Sequence, residues 1–308
     1  MFLDFGYVQV KKMRQWRFSL AARSKISHPI PMKKHLLSFG HGYSAQAFSA
    51  LLDPDLWQIT GTSRAGGNQT IAWPGTSISP ALETATHVLV SIAPDENGDV
   101  VLKTLGDEIA RAAPHLEWVG YLSTTGVYGN HDGGWVDEAT PLTPSTKRGE
   151  MRVLAESQWQ ELAKSAGLPL HIFRLAGIYG PGRGPFAKVR NGTARRIIKK
   201  NQVFSRTHVA DIAQVLAASV AHPNPGAIYN VCDDFPAPPE DVIGFAAELL
   251  GAPIPPAIDF DTAEMSPMAR SFYAESKRVR NDKIRDELGV KLLFPDYQSG
   301  LRALLEED

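Results

Sequence analysis

A glycine turn between a predicted strand and a predicted helix constrains the fold of this chain more than any other feature. The apolar run 36–39 predicts a buried strand, and residues 45–52 carry apolar side chains at helical spacing. Between the two lie Gly40 and Gly42, and Ala45 follows. Glycine permits a tight turn and a close backbone approach, while a small residue at Ala45 lets the helix pack near the strand. This strand, turn and helix therefore indicate the first unit of a parallel α/β sheet.

Strand and helix patterns continue to alternate up to about residue 175. Strands are predicted over 57–62, 88–92, 118–123 and 170–175, and helices over 100–113 and 151–166. This alternation predicts an α/β fold, a Rossmann-type doubly wound parallel sheet with helices on both faces. Glycine- and proline-rich stretches separate shorter elements after residue 180. We therefore expect a sheet core over 32–180 and a smaller C-terminal substrate lobe over 181–308 that returns in part to the core.

Overall composition excludes several classes of function. The net charge is −1, which gives no global sign of a nucleic-acid or membrane partner. The single cysteine, Cys232, rules out an internal disulfide, and no spacing of residues indicates a metal site. No apolar stretch reaches the roughly 18 residues that span a bilayer. We expect a cytoplasmic monomer or homodimer whose partner is a small-molecule substrate, with no nucleic-acid or membrane partner.

The first 31 residues differ in charge from the rest of the chain. Six basic residues face one acid, Asp4; the basic residues are Lys11, Lys12, Arg14, Arg17, Arg23 and Lys25. Three interpretations are open: a disordered tail, a translation start placed too early, and an Arg-rich transit peptide. The sequence 32–35 directly before the first strand resembles a natural start, which favours an extension that does not fold.

The glycine turn and the second predicted strand together indicate a dinucleotide site. The amides at the start of the helix after such a turn face phosphate groups. An acid at the end of the second strand would bind the adenosine ribose and favour NAD, but none occurs between Asp55 and Glu83. Ser63 and Arg64 stand there instead, and a guanidinium suits a 2′-phosphate. The sequence therefore predicts NADP, with NAD as the alternative.

Four segments give the chain a resemblance to a known superfamily. They are residues 39–43, 123–129, 174–182 and 208–213. In order and spacing they resemble the extended and atypical short-chain dehydrogenases/reductases, in the NAD(P)-dependent epimerase/dehydratase-like branch. Residues 121–129 and 228–234 extend the resemblance to the bacterial YeeZ-like proteins. The resemblance covers residues 33 to about 305 and implies a nicotinamide cofactor. The candidate cofactor-binding residues are Gly40, Gly42, Tyr43, Ala45, Ser63, Arg64, Ile92, Ala93 and Tyr179.

The same resemblance implies a catalytic hydroxyl, but the residues that usually accompany it are different in this chain. In the family a Ser or Thr polarises the substrate oxygen, and this position falls on Thr124. A tyrosine and a lysine four residues apart normally complete the site. Counting back from Glu156, where the family often has a glutamate, places them at Arg148 and Arg152. Arginine stays protonated, so Arg148 cannot act as the general acid. As candidate site residues, Arg148 could stabilise an alkoxide or bind an anionic substrate, and Arg152 could bind ribose or phosphate oxygens. The alternative is that both are solvated helix arginines.

The missing tyrosine requires another proton donor if the protein is catalytic. Tyr128, Tyr179, His131 and Asp137 lie near the relevant segments, and we take Tyr128 as a candidate catalytic residue although it is also typical of a packed loop position. His208 is expected to support the junction between the lobes.

Two functions remain open. Family dehydratases carry an acidic pair directly after the hydroxyl residue, and Thr125 and Gly126 stand there instead, which argues against dehydration. The favoured function is an NAD(P)-dependent oxidoreductase or epimerase-like enzyme acting on a small carbonyl or hydroxyl compound. The alternative is a catalytically silent NADP-binding sensor or scaffold.

Overall fold

The computed structural model describes residues 33–67 and 70–307. Its strands are β1 Lys34–Phe39, β2 Trp57–Ser63, β3 Thr70–Ala72, β4 His87–Val90, β5 Trp118–Thr124, β6 Trp135–Val136, β7 Leu170–Leu175, β8 Gly177–Tyr179, β9 Arg196–Ile198, β10 Arg206–His208, β11 Ile228–Val231, β12 Ala257–Asp259 and β13 Arg278–Val279. Its α-helices are α1 Tyr43–Ser49, α2 Ser79–Thr84, α3 Val100–Ala112, α4 Lys147–Ala166, α5 Phe186–Arg190, α6 Val209–Ala221, α7 Pro239–Leu249, α8 Pro267–Phe272, α9 Asp282–Asp286 and α10 Tyr297–Glu307.

The central sheet confirms the predicted fold class. Seven strands pair in parallel in the order β11-β7-β5-β4-β1-β2-β3. The crossover helices cover both faces, as parallel sheets require. One apolar layer includes Val101, Ile109 and Trp159 from α3 and α4. The opposite layer includes Phe48 from α1 and Ile212 from α6. Strand β11 belongs to this sheet although it follows the loop at residue 180.

Observed boundaries differ from the predicted ones at two helices. Helix α4 begins at Lys147, four residues before the predicted start, because the Thr146 hydroxyl caps it by accepting a hydrogen bond from the Gly149 amide at 3.2 Å. Leu154 of this helix is 41% exposed although it is apolar. Helix α1 ends at Ser49, three residues before the predicted end. Helix α3, predicted over 100–113, buries Val101, Leu105, Ile109 and Ala112 at helical spacing.

The C-terminal part of the chain has an apolar cluster of its own. Helices α5, α7 and α10 pack there around Tyr179 and Tyr297. The same part also contributes β11 and α6 to the main sheet layers. The predicted division at residue 180 into a sheet core and a C-terminal substrate lobe therefore stays a prediction.

The N-terminal segment and possible membrane spans were the subject of two further predictions. The basic N-terminal segment, with its three interpretations, lies outside the described residues. Within residues 33–67 and 70–307, no helix is long and apolar enough to cross a membrane.

Buried histidines occupy the sheet layers. His171 and His87 are 0% and 1% exposed. The backbone amide of Asn224 donates to Nε2 of His171 at 2.9 Å, so this nitrogen carries no proton in the fold. Trp118 stacks on the His171 ring at 5.8 Å between centroids. Burial lowers the pKa of both histidines from 6.5 to about 4.

We expect the fold to lose stability in mild acid because of these histidines. Their folded pKa lies below the unfolded value of 6.5, so the unfolded chain binds protons first as the pH falls. Their contribution, roughly 3 kcal/mol each, is fully present above about pH 6.5 and is lost towards pH 4. Urea unfolding at several pH values measures it. His171→Gln should show a shallower loss than the wild type, and His222→Gln, at an exposed position, should match the wild type. An unchanged slope in His171→Gln would contradict the explanation.

Candidate active site

A cavity of about 310 Å³ lies at the carboxyl ends of β1, β4, β5 and β7. Parallel strands bring the segments that follow them to this edge of the sheet. Its lining residues are Gly40, Gly42, Tyr43, Ser44, Ser91, Leu122, Ser123, Thr124, Arg152, Leu175, Ala176, Ile178 and Arg183. The only charged side chains in this lining of described residues are Arg152 and Arg183. The cavity therefore favours an anionic ligand.

The glycine turn has the conformation that the sequence predicted. Gly40 has a φ of +76°, and a Cβ there would lie 2.8 Å from Ile92 Cγ1. A Cβ on Gly42 would meet no protein atom closer than 3.8 Å, so the space at Gly42 is open to a ligand. Ala45 is 1% exposed and packs behind the turn in the sheet layer. Gly40 and Ala45 thus pack against protein atoms, whereas Gly42 faces free space in the cavity.

Thr124 lies in the cavity with its hydroxyl hydrogen available for a ligand. The amide of Gly126 donates to Thr124 Oγ1 at 3.2 Å. That hydrogen bond uses the oxygen as an acceptor, so the hydroxyl can still donate. Thr124 is therefore placed to polarise a substrate oxygen.

Arg152 reaches the same cavity from helix α4. Its Nη1 donates to the carbonyl of Leu122 at 2.6 Å and to Tyr121 Oη at 3.2 Å. These bonds fix the guanidinium at the end of β5, beside Thr124. Desolvation raises the pKa of Tyr121 above its usual value, so Tyr121 meets the cation as a neutral phenol.

The structure does not place Arg148 with Arg152. Arg148 is exposed, its guanidinium carbon lies 4.6 Å from the ring centroid of Phe272, and its Nη2 donates to Ser271 Oγ at 3.3 Å. Both contacts are with α8, outside the cavity lining. The two arginines follow i, i+4 spacing, but a long side chain can be drawn to a different neighbour by packing.

Tyr128 is a structural residue in this fold and not a cavity residue. It is 0% exposed, and its hydroxyl donates to Asn230 Oδ1 at 2.7 Å and accepts from Arg174 Nη1 at 3.0 Å. Burial is the main cause that raises its pKa to about 12. The packed-loop interpretation of Tyr128 agrees with this geometry, and the catalytic one does not.

A buried ion pair connects Tyr128 to the cavity. Arg174 donates to both carboxylate oxygens of Glu156, with the shortest contact at 2.7 Å between Nη2 and Oε2. The hydroxyl of Ser123 donates to the same carboxylate. Glu156 is therefore a structural anchor between α4, β5 and β7.

The remaining predicted cofactor residues lie beside the cavity or away from it. Ser63 bonds to Thr70 Oγ1 at 2.9 Å, and Arg64 is exposed at the end of β2. Ile92 packs against Gly40, and the neighbouring Ala93 is exposed. Tyr179 is not a lining residue, because its hydroxyl points into the C-terminal cluster and bonds to the carbonyl of Asp296 at 3.4 Å.

The other predicted proton donors also lie outside the lining. A ring nitrogen of His131 lies 3.0 Å from the Tyr128 carbonyl oxygen, and Asp137 accepts from the Ala139 amide at 3.0 Å. His208 packs against Tyr179 at 5.1 Å between ring centroids, as expected of a junction residue. Among the described lining residues, Tyr43 supplies the only phenol, and histidine, lysine and carboxylate are absent.

Sequence reasoning missed Arg183, Ser91 and the small apolar residues that follow β7. Arg183 lies in the loop that begins at Gly180, one residue beyond the segment that carries the family resemblance. It lies two residues after Pro181 in a glycine-rich loop, and no sequence pattern there indicates a ligand-binding residue.

Comparison with known proteins shows similarity to one family over part of the chain. Residues 104–232 match the model of the NAD dependent epimerase/dehydratase family. Protein YeeZ of Escherichia coli K12 is 29% identical over 223 residues, which cover 70% of this chain and 74% of YeeZ. The chain is thus similar to this family over residues 104–232 and to YeeZ over a longer segment. The match includes β5, α4 and β7, which carry Thr124, Arg152 and Arg174.

Two solved structures are similar to this one. A conserved protein of unknown function from Silicibacter pomeroyi DSS is 60% identical, with a TM-score of 0.85, over 89% of this chain and 99% of that one. UDP-glucuronic acid 4-epimerase from Bacillus cereus, in complex with NAD, is 17% identical with a TM-score of 0.70, over 89% and 98% of the two chains. The second likeness supports the fold alone.

We expect Tyr128→Phe to affect stability and not ligand binding. Removing the hydroxyl leaves Asn230 and Arg174 without a buried partner, which should lower the free energy of unfolding by about 1–3 kcal/mol. The affinity for a nicotinamide dinucleotide should stay within about twofold. Chemical denaturation and calorimetry measure the two quantities. A large loss of affinity with unchanged stability would restore Tyr128 as a site residue.

Proposed function

We propose that the protein is an NAD(P)-dependent oxidoreductase or epimerase-like enzyme acting on a small carbonyl or hydroxyl compound. The observation that carries this proposal is that the glycine turn, Thr124 and Arg152 line the same cavity. The bound nicotinamide would supply or accept a hydride. The protein supplies binding, orientation and a hydrogen-bond donor for the substrate oxygen.

The residues present fit a dinucleotide. The open space at Gly42 admits a phosphate close to the backbone, and the cationic lining balances its charge. Arg152 offers N–H donors to ribose hydroxyls in place of the family lysine. Thr124 stabilises the developing charge on the substrate oxygen by donating its hydroxyl hydrogen. Since a guanidinium does not serve as a general acid, the proton for the substrate comes from another group or from water.

NADP is the proposed cofactor, with NAD as the alternative. Strand β2 is tied directly to the glycine turn, because the amide of Gly40 donates to Thr62 Oγ1 at 3.0 Å and that of His41 to the Thr62 carbonyl at 2.8 Å. Ser63 and Arg64 follow at once, so the adenosine end of a ligand on the turn would approach them. A guanidinium at this position supports a 2′-phosphate.

We expect Thr124→Ala to reduce turnover strongly. Removing one donor to a developing oxyanion lowers kcat by roughly 100-fold or more. Oxidation of NADPH and NADH across a panel of aldehydes, ketones and imines measures it, with Thr125→Ala as the neighbouring control outside the lining. Wild-type activity that survives in Thr124→Ala would overturn the role of this hydroxyl. Tight dinucleotide binding without turnover on any substrate would favour the sensor or scaffold alternative.

We also expect NADPH to bind more tightly than NADH. Arg64→Ala should weaken NADPH by about tenfold and leave NADH nearly unchanged, since only NADPH carries the 2′-phosphate. Calorimetry gives both constants, and Arg111→Ala removes an exposed arginine elsewhere as a control. Equal affinities for the two cofactors in the wild type would assign NAD instead.

A further inference from the structure

The loop after β8 holds an arginine at the cavity in a fixed position. The amide of Gly180 donates to the carbonyl of Arg183 at 3.0 Å, and the amide of Arg183 donates back at 2.9 Å. These two bonds close a four-residue turn in which Gly182 has a φ of +69°. The backbone of Arg183 is therefore fixed although its side chain is exposed.

Tyr43 joins this loop to the glycine turn. Its hydroxyl donates to the carbonyl of Pro181 at 3.0 Å, and the Arg183 guanidinium carbon lies 5.6 Å from the centroid of its ring. Tyr43 directly follows Gly42 in the chain. The contact brings a cation to the glycine turn from a segment more than a hundred residues away. Stacking on the ring also restricts the arginine, so less entropy is lost when it binds a ligand.

The two arginines of the cavity have different surroundings. Arg152 bonds to β5 beside Thr124, whereas Arg183 stacks on the residue next to Gly42. No carboxylate occurs among the described lining residues to neutralise either one. An anion at Gly42 would therefore meet Arg183, and an oxygen ligand near Thr124 would meet Arg152.

We propose that Arg183 is an anion-binding residue that binds the diphosphate of the dinucleotide over the glycine turn. This inference rests on the proposed function. A guanidinium donates two parallel hydrogen bonds to phosphate oxygens, which makes it a suitable partner for this group. An acidic group of the substrate has the same chemistry, but the stacking on Tyr43 favours the diphosphate because Tyr43 adjoins Gly42.

Calorimetry with the full chain tests the assignment without relying on activity. The ligands are ADP-ribose, which carries the diphosphate but no nicotinamide, and NADPH or NADH, whichever binds the wild type more tightly. Arg183→Gln should weaken both by about tenfold. The loss should shrink at high salt because the contact is partly exposed. Arg183→Lys should lose less than Arg183→Gln, since it keeps the charge without the paired donors.

A matched control comes from another stacked arginine. Arg302 lies 5.1 Å from the Phe245 ring and outside the cavity lining, so Arg302→Gln removes a similar contact and should leave both affinities unchanged. Thermal unfolding checks that each variant folds.

The outcomes separate this inference from the proposed function. A wild type that binds neither the dinucleotide nor ADP-ribose would overturn the proposed function itself. A wild type that binds both, with unchanged affinities in Arg183→Gln, would overturn only the role of Arg183. A loss for the dinucleotide alone would also contradict it, because ADP-ribose carries the same diphosphate and would then have to bind without Arg183.

Discussion

The buried ion pair between Glu156 and Arg174 is the constraint on which the carboxyl edge of the sheet depends. Both side chains are at most 3% exposed, so each has lost its hydration. Removing two charges from water costs several kcal/mol per ion unless hydrogen bonds replace the solvent. Arg174 therefore binds both carboxylate oxygens, and Ser123 and Tyr128 satisfy further groups. The pair fixes helix α4 against β5 and β7, and with it the cavity.

This arrangement separates structural from chemical roles among neighbouring residues. Ser123 faces the ion pair, whereas Thr124, one residue later on the strand, has a hydroxyl that is free to donate. Arg152 lies one helical turn before Glu156 and is held by the same strand end. Arg152 thus keeps a positive charge at the cavity, while Arg148 contacts α8. Under the proposed function, the proton for the substrate comes from outside these two arginines.

Much of the fold followed from local patterns. Strands β1, β2, β4, β5 and β7 and helices α1, α3 and α4 were predicted because apolar spacing and glycine turns depend on neighbours in sequence. Strands β3 and β11 and helix α2 were not predicted. The start of α4 was missed because Thr146 caps it, and a capping hydroxyl differs little in sequence from a loop threonine. In the site, Gly40, Gly42, Tyr43, Thr124 and Arg152 were predicted and lie together at the cavity. Tyr128, Tyr179 and Arg148 were placed elsewhere, because their hydrogen bonds and ring contacts join segments far apart in the chain.

The sequence by itself determined a parallel α/β sheet with a glycine turn after its first strand. These features depend on residue type and short spacing. Only the tertiary structure decided which side chains reach the cavity. Arg183 enters it because a loop after β8 is bonded to Tyr43, and Tyr128 is excluded because Arg174 and Asn230 bind its hydroxyl. Such contacts depend on the directions of side chains after packing, which one-dimensional spacing does not specify.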